Sequence, residues 1–564
     1  MSHSILRTKP LSLIVADTSG QAHSLRRTLG AWDLVAIGLG CIIGVGIFVL
    51  PGVEAATHAG PGIILSFAIA ALACGCSALC YAELAAMIPV AGSAYTYGYA
   101  TLGEIVGWII GWDLILEYMV GASLVAIGWS AYLVNLVNHA LAGSGMSIPH
   151  AIVAAPWGQN PGVINLPAAA IVLFLAWLLV RGIKESARVN LVIVIVKVAV
   201  IVTFVLLTVW YIHPSNWKPF LPFGFKGVAT AAAIVFLAYV GFDAVSTTAE
   251  EAVNPQRDLP IGIIGSLVVA TVLYMIVAAI MTGIVPYQQL NVGDPVALVL
   301  NVLEMPWASM LISLGAICGI TSVLLVLLLG QPRILFAMSR DGLLPRALSH
   351  VHERYRTPHV TTMITGIIVA TAAALTPINV VAELCSIGTL FAFMIVCAGV
   401  IVLRFTRADI ERPYSVPGGW LAAAFVCLPF LIGVSFAPIP AWSRVLISVV
   451  GVVLCAALKK HILPLAGILL CGYLMTSLPL ITWLRLFTWL FLGLAVYAAY
   501  GYTHSAVATA GAPQGPRVAA ARALLVLAFL AAAVVCGFLM WLISHELAAT
   551  PVSTLAADAL ASMF

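Results

Sequence analysis

Long apolar segments, separated by short polar loops, fill most of this sequence. We count about fifteen, and a helix needs about 20 apolar residues to cross a bilayer. They lie at positions 34–55, 61–88, 105–138, 166–182, 190–212, 227–248, 262–285, 309–338, 360–376, 383–403, 421–437, 442–458, 462–479, 481–502 and 519–544. Because lipid offers the backbone no hydrogen bonds, continuous apolar runs of this length fold as helices. The pattern predicts an all-α polytopic membrane protein.

The charged residues agree with this class and indicate an orientation. Only 8% of the residues are charged, whereas a soluble protein has about 25%. Twenty of the 25 Lys and Arg residues fall in alternate loops on the side of the N-terminus, four fall on the other side, and Lys197 lies within a segment. Because basic loops stay in the cytoplasm, we expect a cytoplasmic N-terminus. The basic residues form no patch, so no nucleic-acid partner is expected.

The fifth segment, "SARVNLVIVIVKVAVIVTFVLLTVWY", carries Lys197 in its middle. At 1.5 Å per residue, Lys197 lies about 13 Å from Arg188 along the helix axis, which places it near the bilayer midplane. A charge at this depth costs several kcal/mol. Two interpretations stay open: a permanently charged lysine held by carbonyl groups, or an amine that binds and releases a proton because burial favours its neutral form.

The first segment, "IGLGCIIGVGIFVLPG", has more glycines than close helix packing through Gly40 and Gly44 requires. Glycine costs a helix about 1 kcal/mol relative to alanine, so the sequence predicts a break at Gly44-Val45-Gly46. The sixth segment, "AIVFLAYVGFDAVSTTAEE", is disturbed at Gly241 and Asp243. The carboxylate of Asp243 either caps a second half-helix or binds a ligand.

Broken helices expose backbone groups at the centre of a membrane. Free N–H groups at the start of a half-helix suit a carboxylate, and free carbonyls suit an ammonium group. An α-amino acid carries both. We find no nucleotide-binding, nucleophile-elbow or zinc-protease motif, and therefore expect no enzyme. The cysteines of "CGCSALC" are interpreted as small helix-packing residues, so no metal and no cofactor is expected.

Several motifs resemble the amino acid–polyamine–organocation (APC) superfamily, and within it the cationic amino acid transporter (CAT) family with its bacterial relatives. They are "GCIIGVGIFVLPG", "MIPVAGSAYTY", "RGIKESARVN", "FLAYVGFDAVSTTAEEAVNPQRDLPIGI", "RILFAMSRDGLLP" and "YLMTSLPLITWLRLFTWLFLGLAVYAAYGYTHS". The resemblance covers about residues 25–415 and 462–505. It implies a LeuT-like fold, which consists of two inverted repeats of five helices each. In this fold, helices 1 and 6 are unwound around the substrate.

The resemblance also implies site residues. The first segment would hold the substrate carboxylate on the backbone of Ile42, Ile43, Gly44, Val45 and Gly46. The sixth would hold the α-amino group and flank the side chain around Phe236, Leu237, Ala238, Tyr239 and Val240. Lys197 matches the position where proton-coupled relatives carry a lysine and sodium-coupled members bind sodium. Its protonated amine would contact carbonyls near Gly40 to Gly44 and hydroxyls such as those of Thr321 or Ser322.

The implied function is secondary active transport of L-amino acids, with a proton, by alternating access across the bilayer. Leu327 stands where the mammalian cationic carriers have a serine, which weakens the case for arginine or lysine. Glu117 would favour a cationic side chain, or else pair within the bundle. Amino acid exchange without proton coupling is the alternative, and a nutrient-sensing receptor would need a larger soluble domain. No protein partner can be assigned.

The expected organisation divides the chain into five parts. They are a cytoplasmic tail at 1–30, a ten-helix transport core at 31–405, a cytoplasmic loop at 406–420, four or five additional helices within 421–545 and a tail at 546–564. The bacterial relatives imply the inner (plasma) membrane. Glu250 and Glu251, with Arg257 or Arg340, either close an inner gate or lie in a solvated loop.

Overall fold

The computed structural model describes residues 29–88, 93–141, 146–158, 160–181, 187–247, 252–350, 357–406, 411–418, 461–505 and 524–537, with single residues at 352, 422, 449 and 540. Helices dominate this part of the chain, and it contains no β-strand beyond two isolated bridges, Leu29 with Ala252 and Val153 with Asn165. The prediction of an all-α fold is therefore confirmed.

Eighteen α-helices are used in the description below. They are α1 (Ala31–Ile42), α2 (Val45–Phe48), α3 (Leu50–Glu54), α4 (Ile63–Met87), α5 (Ser93–Thr101), α6 (Glu104–Leu141), α7 (Leu166–Val180), α8 (Ala187–Thr208), α9 (Gly224–Val235), α10 (Ala244–Thr247), α11 (Pro255–Ile284), α12 (Pro295–Val302), α13 (Pro306–Arg340), α14 (His359–Leu375), α15 (Ile378–Thr406), α16 (Ile462–Thr476), α17 (Leu480–Val496) and α18 (Leu524–Gly537).

Seven helices within the described ranges are long and apolar enough to cross a membrane. They span Leu50–Met87, Glu104–Asn138, Ile193–Tyr211, Pro255–Ile284, Pro306–Arg340, Ile378–Thr406 and Leu480–His504. Shorter apolar helices, including α1, α7, α14 and α16, accompany them. The predicted segments 421–437 and 442–458 lie almost wholly outside the described residues, and α18 falls within the predicted segment 519–544. The predicted number of crossings stays a prediction.

The outer helices present large apolar side chains to their surroundings. Phe174 on α7, Leu206 on α8, Val268 on α11 and Ile367 on α14 are all about half exposed or more. A soluble protein would expose such a belt only at an interaction surface. These exposed apolar side chains are expected for a helix bundle that is surrounded by lipid. In such a bundle, polar residues are accommodated in the interior.

At the centre of the bundle, α6 packs extensively against α13 on one side and against α15 on another. The helix α17 is fastened to α6 by a reciprocal pair of tryptophans. The indole N–H of Trp112 donates to the carbonyl of Trp489 at 2.8 Å, and Trp489 donates back to Trp112 at 2.9 Å. The helix α17 is thereby bound directly to the helix that carries Glu117.

Candidate functional site

The first helix is broken where the glycines predict it. α1 ends at Ile42, Ile43 adopts an extended conformation, and α2 begins only at Val45. The N–H groups of Gly44, Val45 and Gly46 have no intrahelical acceptor because a new helix begins there. On the other side of the break, the carbonyls of the last turn of α1 have no intrahelical donor.

The sixth segment is broken as well. α9 ends at Val235, a 3₁₀ turn covers Phe236–Tyr239, Val240 is extended, and α10 begins at Ala244. Gly241 has a φ of 122°, a region that favours glycine. Asp243 accepts a hydrogen bond from the N–H of Gly241 at 3.1 Å. This contact joins the carboxylate to the turn between the two half-helices rather than to the first turn of α10, and the carboxylate also lines the cavity described below.

The two breaks touch each other through glycines. A Cβ on Gly46 would lie 2.5 Å from the Cβ of Ala238, and a Cβ on Gly241 would lie 2.8 Å from the Cβ of Cys41. A real Cβ would force one backbone away from the other, so the breaks depend on glycine at both points. The hydroxyl of Tyr274 on α11 lies between them, 2.7 Å from the carbonyl oxygen of Ile42 and 2.8 Å from that of Ala238.

A cavity, here called the central cavity, opens between the breaks and the helices α6, α13 and α15. Its lining consists of Cys41, Ile42, Gly44, Val45, Gly46, Leu50, Glu117, Tyr118, Gly121, Leu124, Val125, Leu237, Ala238, Val240, Gly241, Asp243, Val323, Val326, Leu327 and Cys385. Most of these side chains are apolar. Glu117, Tyr118 and Asp243 make one part of the wall polar.

The cavity brings together most of the residues that the sequence predicts for substrate binding. Those in the lining are Ile42, Gly44, Val45, Gly46, Leu237, Ala238, Val240, Glu117 and Leu327. Three others are buried but face elsewhere. Ile43 is fully buried, Phe236 packs on the ring of Phe393, and the Tyr239 hydroxyl donates to the carbonyl of Phe67 at 3.0 Å.

Sequence reasoning missed much of the wall contributed by α6 and α13. Tyr118, Gly121, Leu124 and Val125 follow Glu117 along one side of α6. The spacing of Gly121, Leu124 and Val125 from Glu117, one to two helical turns, was a usable signal, because residues three and four apart share a helix face. Tyr118 is the immediate neighbour of Glu117, and this spacing does not indicate it. The same argument extends from Leu327 to Val323 on α13.

Lys197 is fully buried, and its amine donates to the carbonyl of Gly40 at 2.7 Å. Gly40 lies in the last turn of α1, where the helix dipole favours a cation. The predicted contact with carbonyls near the break is therefore present. The stem of Lys197 passes over Gly319 of α13, where a Cβ would lie 3.1 Å from the lysine Cγ.

The two hydroxyls predicted beside Lys197 have other acceptors in this conformation. Thr321 donates to the carbonyl of Ile317 at 2.6 Å and accepts a hydrogen bond from the indole of Trp129. Ser322 donates to the carbonyl of Gly319 at 3.3 Å, on the face of α13 that meets the lysine stem. Their part in proton coupling stays a prediction. The suggested gate at Glu250 and Glu251 lies outside the described residues.

Comparison with known proteins supports a membrane carrier. The amino acid permease family matches residues 29–455, and the C-terminal region of amino acid permeases matches residues 462–505. The branched-chain amino acid permease BcaP of Bacillus subtilis (strain 168) is 45% identical over 509 residues, which cover 90% of this chain and 99% of that protein. The methylthioribose transporter of the same organism is 43% identical over 502 residues, with coverages of 89% and 99%.

A plant protein extends the comparison to cationic carriers. The vacuolar cationic amino acid transporter 2 of Arabidopsis thaliana is 41% identical over 422 residues, covering 73% of this chain and 65% of that protein. The matches bear out the resemblance to the APC superfamily and its CAT family, and they are to transporters rather than enzymes. The chain belongs to the amino acid permease family of integral membrane transport proteins.

Proposed function

We propose that this protein is a secondary active transporter that carries an L-amino acid together with a proton by alternating access. One observation carries the proposal: two broken helices meet at one cavity, and residues from both breaks line it. Helices that break at the membrane centre are the means by which many carriers bind small zwitterions. The family membership supports transport, and the geometry supports the kind of substrate.

The proposed architecture is a LeuT-like inverted repeat of five plus five crossings. In chain order, α1–α3, α4, α6, α7 and α8 form the first repeat, and α9–α10, α11, α13, α14 and α15 form the second. The broken helices then stand first in each repeat, as this architecture requires. The transport core would occupy 31–405, with the loop 406–420, the extra helices 421–545 and the tails 1–30 and 546–564 outside it.

In this proposal the substrate carboxylate binds the N–H groups of Gly44, Val45 and Gly46. They begin the helical run that continues through α3, so the carboxylate lies at its positive end. The α-amino group binds carbonyls of the turn from Phe236 to Val240. The carbonyl of Ala238 already accepts from Tyr274, and its second lone pair is free for the ammonium group.

We assign the side-chain part of the cavity to a neutral, branched aliphatic group. The wall formed by Leu124, Val125, Val323, Val326 and Leu327 offers only apolar contacts there. Such a surface favours an aliphatic group by about 0.8 kcal/mol for each CH₂ buried. The relative BcaP is named a branched-chain amino acid permease, which agrees. A cationic substrate is the second candidate, favoured by Glu117 in the same cavity and by the cationic relatives.

Lys197 would couple transport to the proton gradient. When protonated it binds the carbonyl of Gly40 and thereby holds α8 against the broken end of α1. Loss of the proton would weaken this contact and favour the other conformation. A proton gradient drives transport only if the two conformations bind the proton with different affinity. The basic loops support a cytoplasmic N-terminus, and the bacterial relatives support a location in the inner membrane.

The test uses purified protein in proteoliposomes. A thermal-shift series with leucine, isoleucine, valine, arginine, lysine and methylthioribose identifies the ligand, because a ligand of the folded state raises the unfolding temperature. Uptake of that ligand is then measured with an imposed pH gradient and, separately, as counterflow without one. We expect stabilisation by a branched-chain amino acid and accumulation driven by the gradient.

Other results would replace the proposal with a defined alternative. Counterflow without gradient-driven accumulation would indicate an exchanger. Stabilisation by arginine or lysine alone would assign the cavity to cationic substrates. Binding without any flux would indicate a receptor on a carrier fold.

A further inference from the structure

Two carboxyl groups on α6 are buried without a partner. Asp113 and Glu117 lie one helical turn apart, and their exposed fractions are 0% and 1%. None of their four carboxyl oxygens has a hydrogen-bond partner among the residues that the structure describes. Glu117 lines the central cavity, whereas Asp113 does not. Asp113 lies one turn nearer to Glu104, at the end of α6 that the proposed orientation assigns to the cytoplasm.

The neighbours of the pair offer no compensating charge. Thr389 of α15 lies beside Glu117, but its hydroxyl donates to the carbonyl of Cys385 at 3.1 Å. Asp113 packs against Gly388, where a Cβ would lie 3.2 Å from the carboxyl oxygen. Across the described ranges, neither carboxyl takes part in an ion pair. No group of three metal-ligating side chains occurs there either.

The titratable groups that face the pair are all acids. They are Asp243 beyond the break, Tyr81 on α4, Tyr118 on α6 and Cys385 on α15. Asp243 is itself engaged by the N–H of Gly241 and, at 3.3 Å, by the hydroxyl of Tyr118. Gln331 on α13 does not titrate, and its amide donates to the carbonyl of Ile115 at 3.4 Å.

Two ionised carboxylates in this position would be very unfavourable. A buried carboxylate without a partner loses its hydration and gains nothing in return, so it takes up a proton instead. Two carboxylates that share a site repel each other, and the second ionisation is suppressed further. Because binding a proton removes the charge of a carboxylate, the proton is the ligand that this site selects.

We propose that Asp113 and Glu117 form a second proton-binding site, separate from Lys197. At least one of the two carboxyls holds a proton while both are shielded from solvent. When the cytoplasmic side opens, water reaches the pair and the carboxyl O–H bond breaks. The electron pair stays on the carboxylate, and the proton leaves on water as hydronium. Closure requires the site to be protonated again, so proton occupancy favours the closed conformation.

The presence of this proton does not depend on the proposed function, but its use in transport does. The first test therefore measures stability rather than flux. The thermal midpoint of the purified protein is followed against pH for the wild type, Asp113→Asn and the control Asp258→Asn. Asp258 is a buried carboxylate at the start of α11 that accepts a hydrogen bond from the N–H of Asn254 at 3.2 Å.

The sign of the expected effect follows from the proton balance. Above about pH 4, an unfolded carboxyl is ionised whereas the buried pair keeps its proton. Folding then binds protons, so stability falls as the pH rises. Asp113→Asn mimics the protonated acid, and we expect its thermal midpoint to exceed the wild-type value at neutral pH and to depend less on pH. Asp258→Asn controls for the loss of a buried carboxyl as such, and the proposal requires that its slope differ from that of Asp113→Asn.

An unchanged slope in Asp113→Asn, or a lower midpoint at every pH, would overturn the proposal. If that variant does not fold, the infrared spectrum of the wild type decides. A protonated-carboxyl band at neutral pH that disappears in Glu117→Gln supports the site, and its absence in the wild type refutes it. These readouts do not involve Lys197, so they can fail while gradient-driven uptake succeeds, or succeed while it fails.

Discussion

Lys197 and the acidic pair of α6 are both buried titratable groups in a membrane protein, but within the described residues only the lysine has a hydrogen-bond partner. The amine of Lys197 lies 2.7 Å from the carbonyl of Gly40. The carboxyls of Asp113 and Glu117 lie on an intact helix and have no hydrogen-bond partner in the described residues. The contrast arises from the backbone that each group meets.

A broken helix and an intact helix offer different partners. The last turn of α1 has carbonyls with no intrahelical donor, so the break supplies acceptors for a cation. In the interior of α6, each N–H already bonds a carbonyl four residues earlier, so no donor is left for a carboxylate. The break therefore stabilises the charged lysine, whereas the intact helix favours neutral acids. Three predictions examine this contrast from the lysine side.

The largest effect is expected for Lys197→Ala. The substitution removes the amine that donates to the carbonyl of Gly40 at the broken end of α1. We expect uptake driven by a pH gradient to fall by roughly 10- to 100-fold, the range of typical coupling free energies. Counterflow of labelled substrate should persist, because the cavity does not include Lys197.

Full pH-dependent accumulation by Lys197→Ala would contradict the proposed role of Lys197 in proton coupling, because the lysine would then be a structural cation. Gradient-driven uptake and counterflow are measured in the same proteoliposomes, so that a fall in protein content affects both equally.

An intermediate effect is expected for Gly241→Ala, which disturbs the acceptor side of the lysine site. The new Cβ would lie 2.8 Å from the Cβ of Cys41, next to Gly40, at a φ of 122° that alanine avoids. Overpacking and backbone strain together cost about 2–5 kcal/mol. The measurement is thermal unfolding in detergent, with substrate affinity as the second readout.

The matched control is Gly75→Ala on α4, where nothing lies within 4 Å of the new Cβ. Helix propensity predicts a gain of about 0.5–1 kcal/mol for that change. If both alanine variants behave alike, contact between the two breaks does not matter for stability.

The smallest effect is expected for Tyr274→Phe. The phenol is the group that joins the carbonyls of Ile42 and Ala238, and its loss leaves buried acceptors without that donor. Such a loss costs about 1–3 kcal/mol. We expect lower thermal stability and weaker substrate binding, but an unchanged dependence of uptake on pH. A shift of the pH profile would show that the lysine and the tyrosine act as one network.

Much of the site was predictable because its signals are local. The glycines of "GCIIGVGIF" mark the first break, and the isolated Lys197 marks a polar site within an apolar segment. The contacts of the lysine stem were harder to predict. The hydroxyls of Thr321 and Ser322 predict contacts with the lysine. Gly319 lies against the lysine stem instead, and a glycine has no side chain from which such a contact could be predicted.

The acidic pair shows the same limit. The sequence places Asp113 and Glu117 on one helix face, since they are four residues apart. Whether a cation approaches them depends on side chains from α4, α13 and α15, which are distant in sequence. The sequence therefore left both interpretations of Glu117 open. In the structure, none of the described residues forms an ion pair with Glu117.

The sequence by itself determined the helical class, the membrane as solvent and the breaks in the first and sixth segments, and it predicts the depth of Lys197. These follow from apolar length and glycine propensity, which act over a few neighbouring residues. Only the tertiary structure decided that the breaks touch through Gly46 and Gly241 and that Tyr274 bridges them. It also decided that the lysine has a carbonyl partner, whereas no described residue forms a hydrogen bond with the acids. Those outcomes depend on which backbone and side-chain groups meet across helices. The free-energy cost of burying a charged group depends on the groups around it, and only the tertiary structure defines them.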